Sequence, residues 1–323
     1  MAYSEYLVSK RERGVWVAET SFGAGGTLAS GEVIGYNMAI TPNYSQSWQE
    51  YVTSGTDNLY IQGRQKGPKR LPYALSFAPY NWRWLKYLFT VGDADDSGVK
   101  THTFTQNTSI ASWRMEWAKR HTTNHVLTQI GNFAKSATIS WRKASGEGTE
   151  GFLNVAMNCV ARDVAQGSSI ETIAAITDAG FQYRMTKVTM ASSEVVEINN
   201  GEMTIDLGIN ESNFFYANST ADNLISEPAP GTMRISGRYN VNIKDKTYFD
   251  FWDGAVVLTG TNTLLFDRDG TGDDQILFTF ANFTVHAAVA STNPDFTGVT
   301  NVDIIWTADS FTSIVARDAV SVY

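Results

Sequence analysis

Val33-Ile34-Gly35-Tyr36-Asn37-Met38-Ala39-Ile40 sets Val33, Gly35, Asn37 and Ala39 against Ile34, Tyr36, Met38 and Ile40. A two-residue period of this kind puts successive side chains on opposite faces, so it predicts a strand with one face turned to a core. Similar stretches return at 59–62, 73–77, 101–105, 112–118, 136–142, 151–160, 182–190, 202–208, 233–243, 263–267, 275–287, 301–307 and 311–316, mostly bounded by Gly, Asn, Asp or Ser. The chain is expected to be mainly β.

Two segments break the alternation with helical spacing. In the first, Pro79 suits a helix start, Trp82, Leu85 and Phe89 recur at three or four residues, and Gly92 stands where a cap would fall, predicting a helix over 80–91. In the second, Asp245 can cap a helix whose face is Tyr248, Phe251 and Trp252, ending at Gly254. Each follows a strand (71–78 and 233–243) and precedes a loop, a short strand (101–105 and 263–267) and a longer strand pair. The two series end in Val160-Ala161-Arg162-Asp163 and Val315-Ala316-Arg317-Asp318. This shared order predicts two tandem β-barrels or sandwiches, each flanked by a short helix, over 29–165 and 166–323, joined near 164–180 by a segment rich in Gly, Ser and Ala. Residues 1–28, with Lys10 to Arg13 and Gly23, Gly25 and Gly26, read as a flexible arm.

Composition narrows the function. Of 323 residues, 43% are hydrophobic and only 18% charged, enough apolar material for packed cores. The net charge of −8 disfavours a protein that grips phosphate backbones. The single Cys159 excludes an internal disulfide framework, and its apolar setting reads as a small buried hydrophobe. No stretch reaches the ~18 apolar residues of a membrane helix, and the start MAYSEYLVSKRER lacks the apolar core of a secretion signal, so assembly in a cytoplasm is expected.

Candidate chemistry is thin. Asp267-Arg268-Asp269-Gly270-Thr271-Gly272-Asp273-Asp274 spaces oxygen ligands as a calcium loop does, but Phe278 stands where a bidentate Glu is required, and a hairpin turn explains the same residues. His121 and His125 have the spacing of a helical zinc pair, yet Thr122, Thr123 and Asn124 between them favour a loop. His102 and His286 lie in strand patterns. Gly23-Ala24-Gly25-Gly26-Thr27-Leu28 lacks the third glycine of a dinucleotide loop. Trp84, Trp113, Trp117, Trp141, Trp252 and Trp306 fall in apolar phase and read as core or subunit interface, the alternative being a sugar-stacking face. Lys66, Lys69 and Arg70 flank Gly67-Pro68 in an expected hairpin tip, either solvated or bridging to a neighbouring subunit. No catalytic, cofactor-binding or metal residue is assigned, and an enzyme is not expected.

The layout resembles the major tail tube proteins of long-tailed bacteriophages and archaeal tailed viruses, in the form that carries two tube domains. The resemblance covers about residues 30–318 and rests on Tyr60-Ile61-Gln62-Gly63-Arg64, Arg70-Leu71-Pro72-Tyr73-Ala74-Leu75-Ser76-Phe77, Thr101-His102-Thr103-Phe104-Thr105, Ser112-Trp113-Arg114-Met115-Glu116 and Ile130-Gly131-Asn132-Phe133-Ala134-Lys135-Ser136-Ala137-Thr138-Ile139-Ser140. It continues from Pro230-Gly231-Thr232 to Ile276-Leu277-Phe278-Thr279-Phe280. It implies a virion protein that forms homotrimeric or homohexameric rings, stacked into a tail tube with tape-measure, terminator and baseplate proteins as partners. DNA then transits the lumen without specific binding, and the acidic balance suggests a lumen of negative potential. The arm 1–28 or the loop Asp93 to Lys100 is the expected stacking device. A capsid-decorating or baseplate protein is the rival structural class, and a carbohydrate-binding or glycosidase β fold the second rival.

Overall fold

The structure, a computed structural model, describes residues 12–51, 63–96, 98–119, 125–143, 151–167, 169–195, 197–210, 224–242, 250, 257–291, 301–319 and 323. The chain is mainly β, as the alternation predicts. In chain order the strands are β1 (Glu12–Ala18), β2 (Glu32–Val33), β3 (Tyr36–Pro42), β4 (Ser45–Tyr51), β5 (Gly63–Arg70), β6 (Pro72–Ala78), β7 (Phe89–Asp96), β8 (Val99–Gln106), β9 (Trp113–Lys119) and β10 (His125–Arg142). They continue as β11 (Asn154–Val160), β12 (Asp163–Gly167), β13 (Thr186–Met190), β14 (Ser193–Glu194), β15 (Ile198–Asp206), β16 (Arg234–Asn242), β17 (Thr263–Asp267), β18 (Gln275–Ala281), β19 (Thr284–Ser291), β20 (Asn301–Ala308) and β21 (Ser310–Asp318).

The large sheet runs β3-β6-β11-β10-β15-β16-β20-β19, with β1, β2, β9 and β12 attached beside β10. Its order is one four-strand pattern written twice. In each set the sheet reads first, second, fourth, third strand in chain order, and the sets meet where β10, the third strand of one, pairs with β15, the first strand of the other. The irregularities repeat too. The first pair of each set slips between Tyr36 and Ala39 and between Ile198 and Asn200; the hairpins β10–β11 and β19–β20 slip at Lys135 and at His286. Matching bulges at matching joints are hard to obtain by chance, because a bulge is a positioned feature of a sheet.

A second sheet, β14-β13-β17-β18-β21-β8-β7, backs the first. Between the layers aromatic rings interdigitate: Trp141 meets Phe266 edge-on with centroids 5.4 Å apart, and Trp306 meets Phe280 at 5.1 Å. Each tryptophan lies over a glycine on the adjacent strand, Trp141 over Gly201 and Trp306 over Gly237. A Cβ at either glycine would stand only 2.4 or 2.3 Å from the indole, so nothing larger fits.

Several expectations are corrected. The segment 80–91 is not an α-helix: a five-residue 3-10 helix, Arg83–Tyr87, leads straight into β7, and Gly92 lies inside that strand. Trp82, Trp84, Leu85, Tyr87, Leu88 and Phe89 are all buried, so apolar side chains leave the segment in several directions and no single helical face is selected. Arg83 and Lys86 turn outward to share Glu32, each at 3.2 Å. The second expected helix lies outside the described residues except Asp250, which is helical.

Residues 12–28 are not an arm. β1 pairs with β9 from Glu12 to Ala18 and buries Val15 and Trp16, while Glu19 accepts bonds from Gly23 N, Ser112 Oγ and Gly131 N at 2.7 to 2.9 Å. Residues 1–11 lie outside the described residues. Asp93 to Lys100 is a β-hairpin rather than a loop. Gly67-Pro68 sits within β5, not at a tip, and Lys69 pairs with Asp163 at 3.7 Å in the same chain. The two Val-Ala-Arg-Asp tetrapeptides stand in different places: the first leaves β11 and turns into β12, the second forms the last four residues of β21. The boundary near 165 does not divide the sheets either, since β7 and β8 pair into the second sheet beside β21.

Candidate assembly interface

The large sheet has one face against the second sheet and one toward solvent. Alternation assigns them: on β15, Gly201, Met203 and Ile205 are buried while Glu202, Thr204 and Asp206 turn outward. Across the joint between the sets, seven residue pairs run from Ser136 opposite Asp206 to Arg142 opposite Asn200. Hydroxyls zip its outer surface, with Thr138 and Thr204 bonded at 2.8 Å. At this joint the outer face dips into a cleft of about 440 Å³, lined by Ser140, Arg142, Asn154, Glu202 and Arg238 among others.

The main path of the sheet has two ends, and among the described residues the attached β2 and β12 are also paired on one side only. Among the described residues β3 and β19 have a ladder partner on one side only. They are the first strand of one set and the third strand of the other, the same two kinds of strand that meet at β10–β15. A margin of unpaired N–H and C=O groups is a template for another strand.

The strongest titratable cluster is elsewhere. His102 is fully buried, with Nδ1 2.6 Å from Asp93 Oδ1 and Nε2 3.2 Å from Asp318 Oδ1. The Tyr323 ring stacks on the imidazole at 3.6 Å, and its hydroxyl donates to Asp318. A histidine oriented by a carboxylate resembles a catalytic base, but here its second nitrogen faces another carboxylate instead of a nucleophile, and Tyr323 covers it. The cluster fastens β7, β8 and β21.

The other sequence candidates are structural. The Asp267–Asp274 segment is the turn between β17 and β18. Asp267 accepts from Gly270 N, while Asp269 accepts from Thr271 N and Gly272 N. Burial pulls the Asp269 carboxyl upward, but its bonds from Thr271 and Gly272 prevail and hold it at about 2. Asp274 pairs with Arg268, whose guanidinium also donates to Tyr80 O and Ala179 O and lies over the Phe181 ring. Sequence reading missed this arginine clamp.

Cys159 is buried and its thiol is pushed up by that burial, as an inert core group's would be. His125 opens β10 on the surface, and His121 lies outside the described residues. His286 is exposed, with Nε2 2.5 Å from Thr307 Oγ1. Trp84, Trp113, Trp141 and Trp306 are fully buried and Trp117 is partly so, leaving these rings no face for a sugar; Trp252 is outside the described residues. Glu116 on β9 is buried beside β10, and that burial raises its carboxyl although Glu171 N donates to it at 3.1 Å.

No protein-family model matches the chain, and no curated protein matches it.

Proposed function

We propose that this chain is a non-catalytic structural virion protein that polymerises head to tail into rings, and that the rings stack into a viral tail tube, the conduit for genome delivery. The single observation that supports the reading most is the sheet order. One joint between a third strand and a first strand is made inside the chain, and one strand of each kind, paired on one side only, remains at the ends of the main path. A second copy that lays its β3 against β19 repeats the internal joint, and a head-to-tail contact of this sort closes into a ring when its rotation closes.

The two four-strand sets, β3-β6-β11-β10 and β15-β16-β20-β19, are then the two ring repeats; they take the place of domains bounded at 165, a boundary that the second sheet crosses. Three copies supply six sets and a pseudo-sixfold ring; a ring using one set per chain needs six copies. The solvent-facing side of the large sheet lines the lumen, along which DNA moves without specific binding. Tape-measure protein inside and terminator and baseplate proteins at the ends are the further partners, in a virion tail assembled in the host cytoplasm. Residues 12–28, being anchored, are withdrawn as a stacking device.

Electron microscopy of the concentrated protein tests this. Hollow filaments or stacked rings with the mass of three chains per ring are expected. A compact monomer at every concentration overturns the reading.

A further inference from the structure

The chain is acidic, yet one part of the outward face of its large sheet is balanced. From Ser136 to the end of β10 and along β15, β16 and β20 this face carries Arg142, Arg234 and Arg238 and, against them, Glu202, Asp206 and Asp303. The placement follows the ladder: Glu202 is directly opposite Arg238, and Asp206 is directly opposite Arg234. Arg238 is held from both sides, its Nε 3.8 Å from Glu202 Oε1 on β15 and a terminal nitrogen 3.7 Å from Asp303 Oδ2 on β20. Asn240 donates to the other oxygen of Asp303 at 2.7 Å and so fixes that carboxylate. The three side chains are 46%, 46% and 36% exposed, within reach of anything that passes over the face.

Two guanidinium groups around a concavity are a natural phosphate site, and Arg142 and Arg238 both line the cleft at the joint. Glu202 lines the same cleft. A phosphate approaching Arg238 must displace two carboxylates and meets their repulsion as it arrives, so the site has no net positive charge with which to displace the counterions condensed on nucleic acid. We propose that Glu202 and Asp303 are charge masks: they occupy Arg238 so that this guanidinium, at the centre of the charged part of the face, cannot hold a passing polyanion. The biological sense of this inference rests on the tube reading, because a lumen wall must not grip DNA. It replaces the expected negative lumen with one whose cations are neutralised in place.

The test uses the free full-length subunit and random-sequence double-stranded DNA at low salt, read by fluorescence anisotropy. Neutralising both masks with the near-isosteric E202Q/D303N should tighten binding about three- to tenfold and steepen its salt dependence by about one phosphate contact. Adding R238Q to that pair should return binding to the wild-type level. A double variant that binds no tighter than wild type overturns the proposal, as does a triple variant that keeps the gain. Circular dichroism checks the fold; should the double variant unfold, E202Q and D303N are read singly, each with a smaller gain expected and the same two outcomes decisive. Filament formation is scored separately, so a subunit that never polymerises sinks the tube reading while leaving the masking comparison intact.

Discussion

The two four-strand sets share an order and a pattern of bulges but differ on their outward surfaces and at their third strands. On β6, β10 and β11 the first set shows solvent mainly Ala74, Ser76, Thr138, Ala156 and Asn158, while the second set carries five of the six charges named above. The third strand β10 is paired on both sides, whereas β19 is paired on one. Equal backbones with unequal surfaces teach that hydrogen bonding and core packing set the repeat, and that the outward residues were free to diverge.

The comparison can be broken most decisively at its tryptophans. Trp141→Ala, on the third strand of one set, and Trp306→Ala, on the fourth strand of the other, each remove an interlayer ring that lies over a glycine, and each is expected to lower unfolding free energy by about 3–5 kcal/mol in denaturant titrations. A loss at Trp306 far smaller than at Trp141 would show that the sets do not share one core.

A proline scan sharpens the difference at the third strands. By the register of the two hairpins, Ala137 in β10 and Ala288 in β19 hold the same place, the second residue after the bulge. Ala137→Pro puts a ring into a strand bonded on both sides and should destabilise the subunit by about 3 kcal/mol or more, or prevent folding. Ala288→Pro should leave the thermal transition of the subunit nearly unchanged and abolish rings in the microscope. Intact rings from that variant would remove β19 from the joint.

The smallest effects are electrostatic and run in opposite directions. The Glu116 carboxyl is raised above its ordinary 4.5 by burial, so the stability it contributes is full below that pH and is lost as pH rises through the raised value. Asp269 is held at about 2 against an ordinary 3.8, so its contribution is present above 3.8 and lost as pH falls toward 2. Glu116→Gln should therefore flatten the decline of Tm above pH 4.5, and Asp269→Asn the decline between pH 4 and 2. Unchanged profiles would mean that neither group couples to folding.

Much of this was legible in the sequence, and the parts that were not have physical reasons. Strand alternation registers locally, so β3, β6, β16 and β20 could be read residue by residue. The tetrapeptide that seemed to close each of two series was a coincidence of four letters in unlike surroundings. Aromatic spacing in 82–89 imitates a helix because burial on all sides also places large apolar residues at short intervals. Residues 12–28 were misread since glycines near Gly23 suggest looseness, whereas the neighbouring carboxylate of Glu19 ties that turn to distant Gly131 in β10. Neither the joint β10–β15 nor the Arg238 pairings could be seen, because both depend on strand register, a tertiary quantity.

One connection in the second sheet bears on how the molecule forms. The β7–β8 hairpin is joined to the rest of its sheet through β21, and the His102–Asp318 contact across that seam closes over 216 residues. Pairing this remote is slow to nucleate, since chain closure must precede any reward from contacts. During synthesis the hairpin waits for its neighbour until residue 318 has left the ribosome. A nascent chain therefore lacks the finished backing layer.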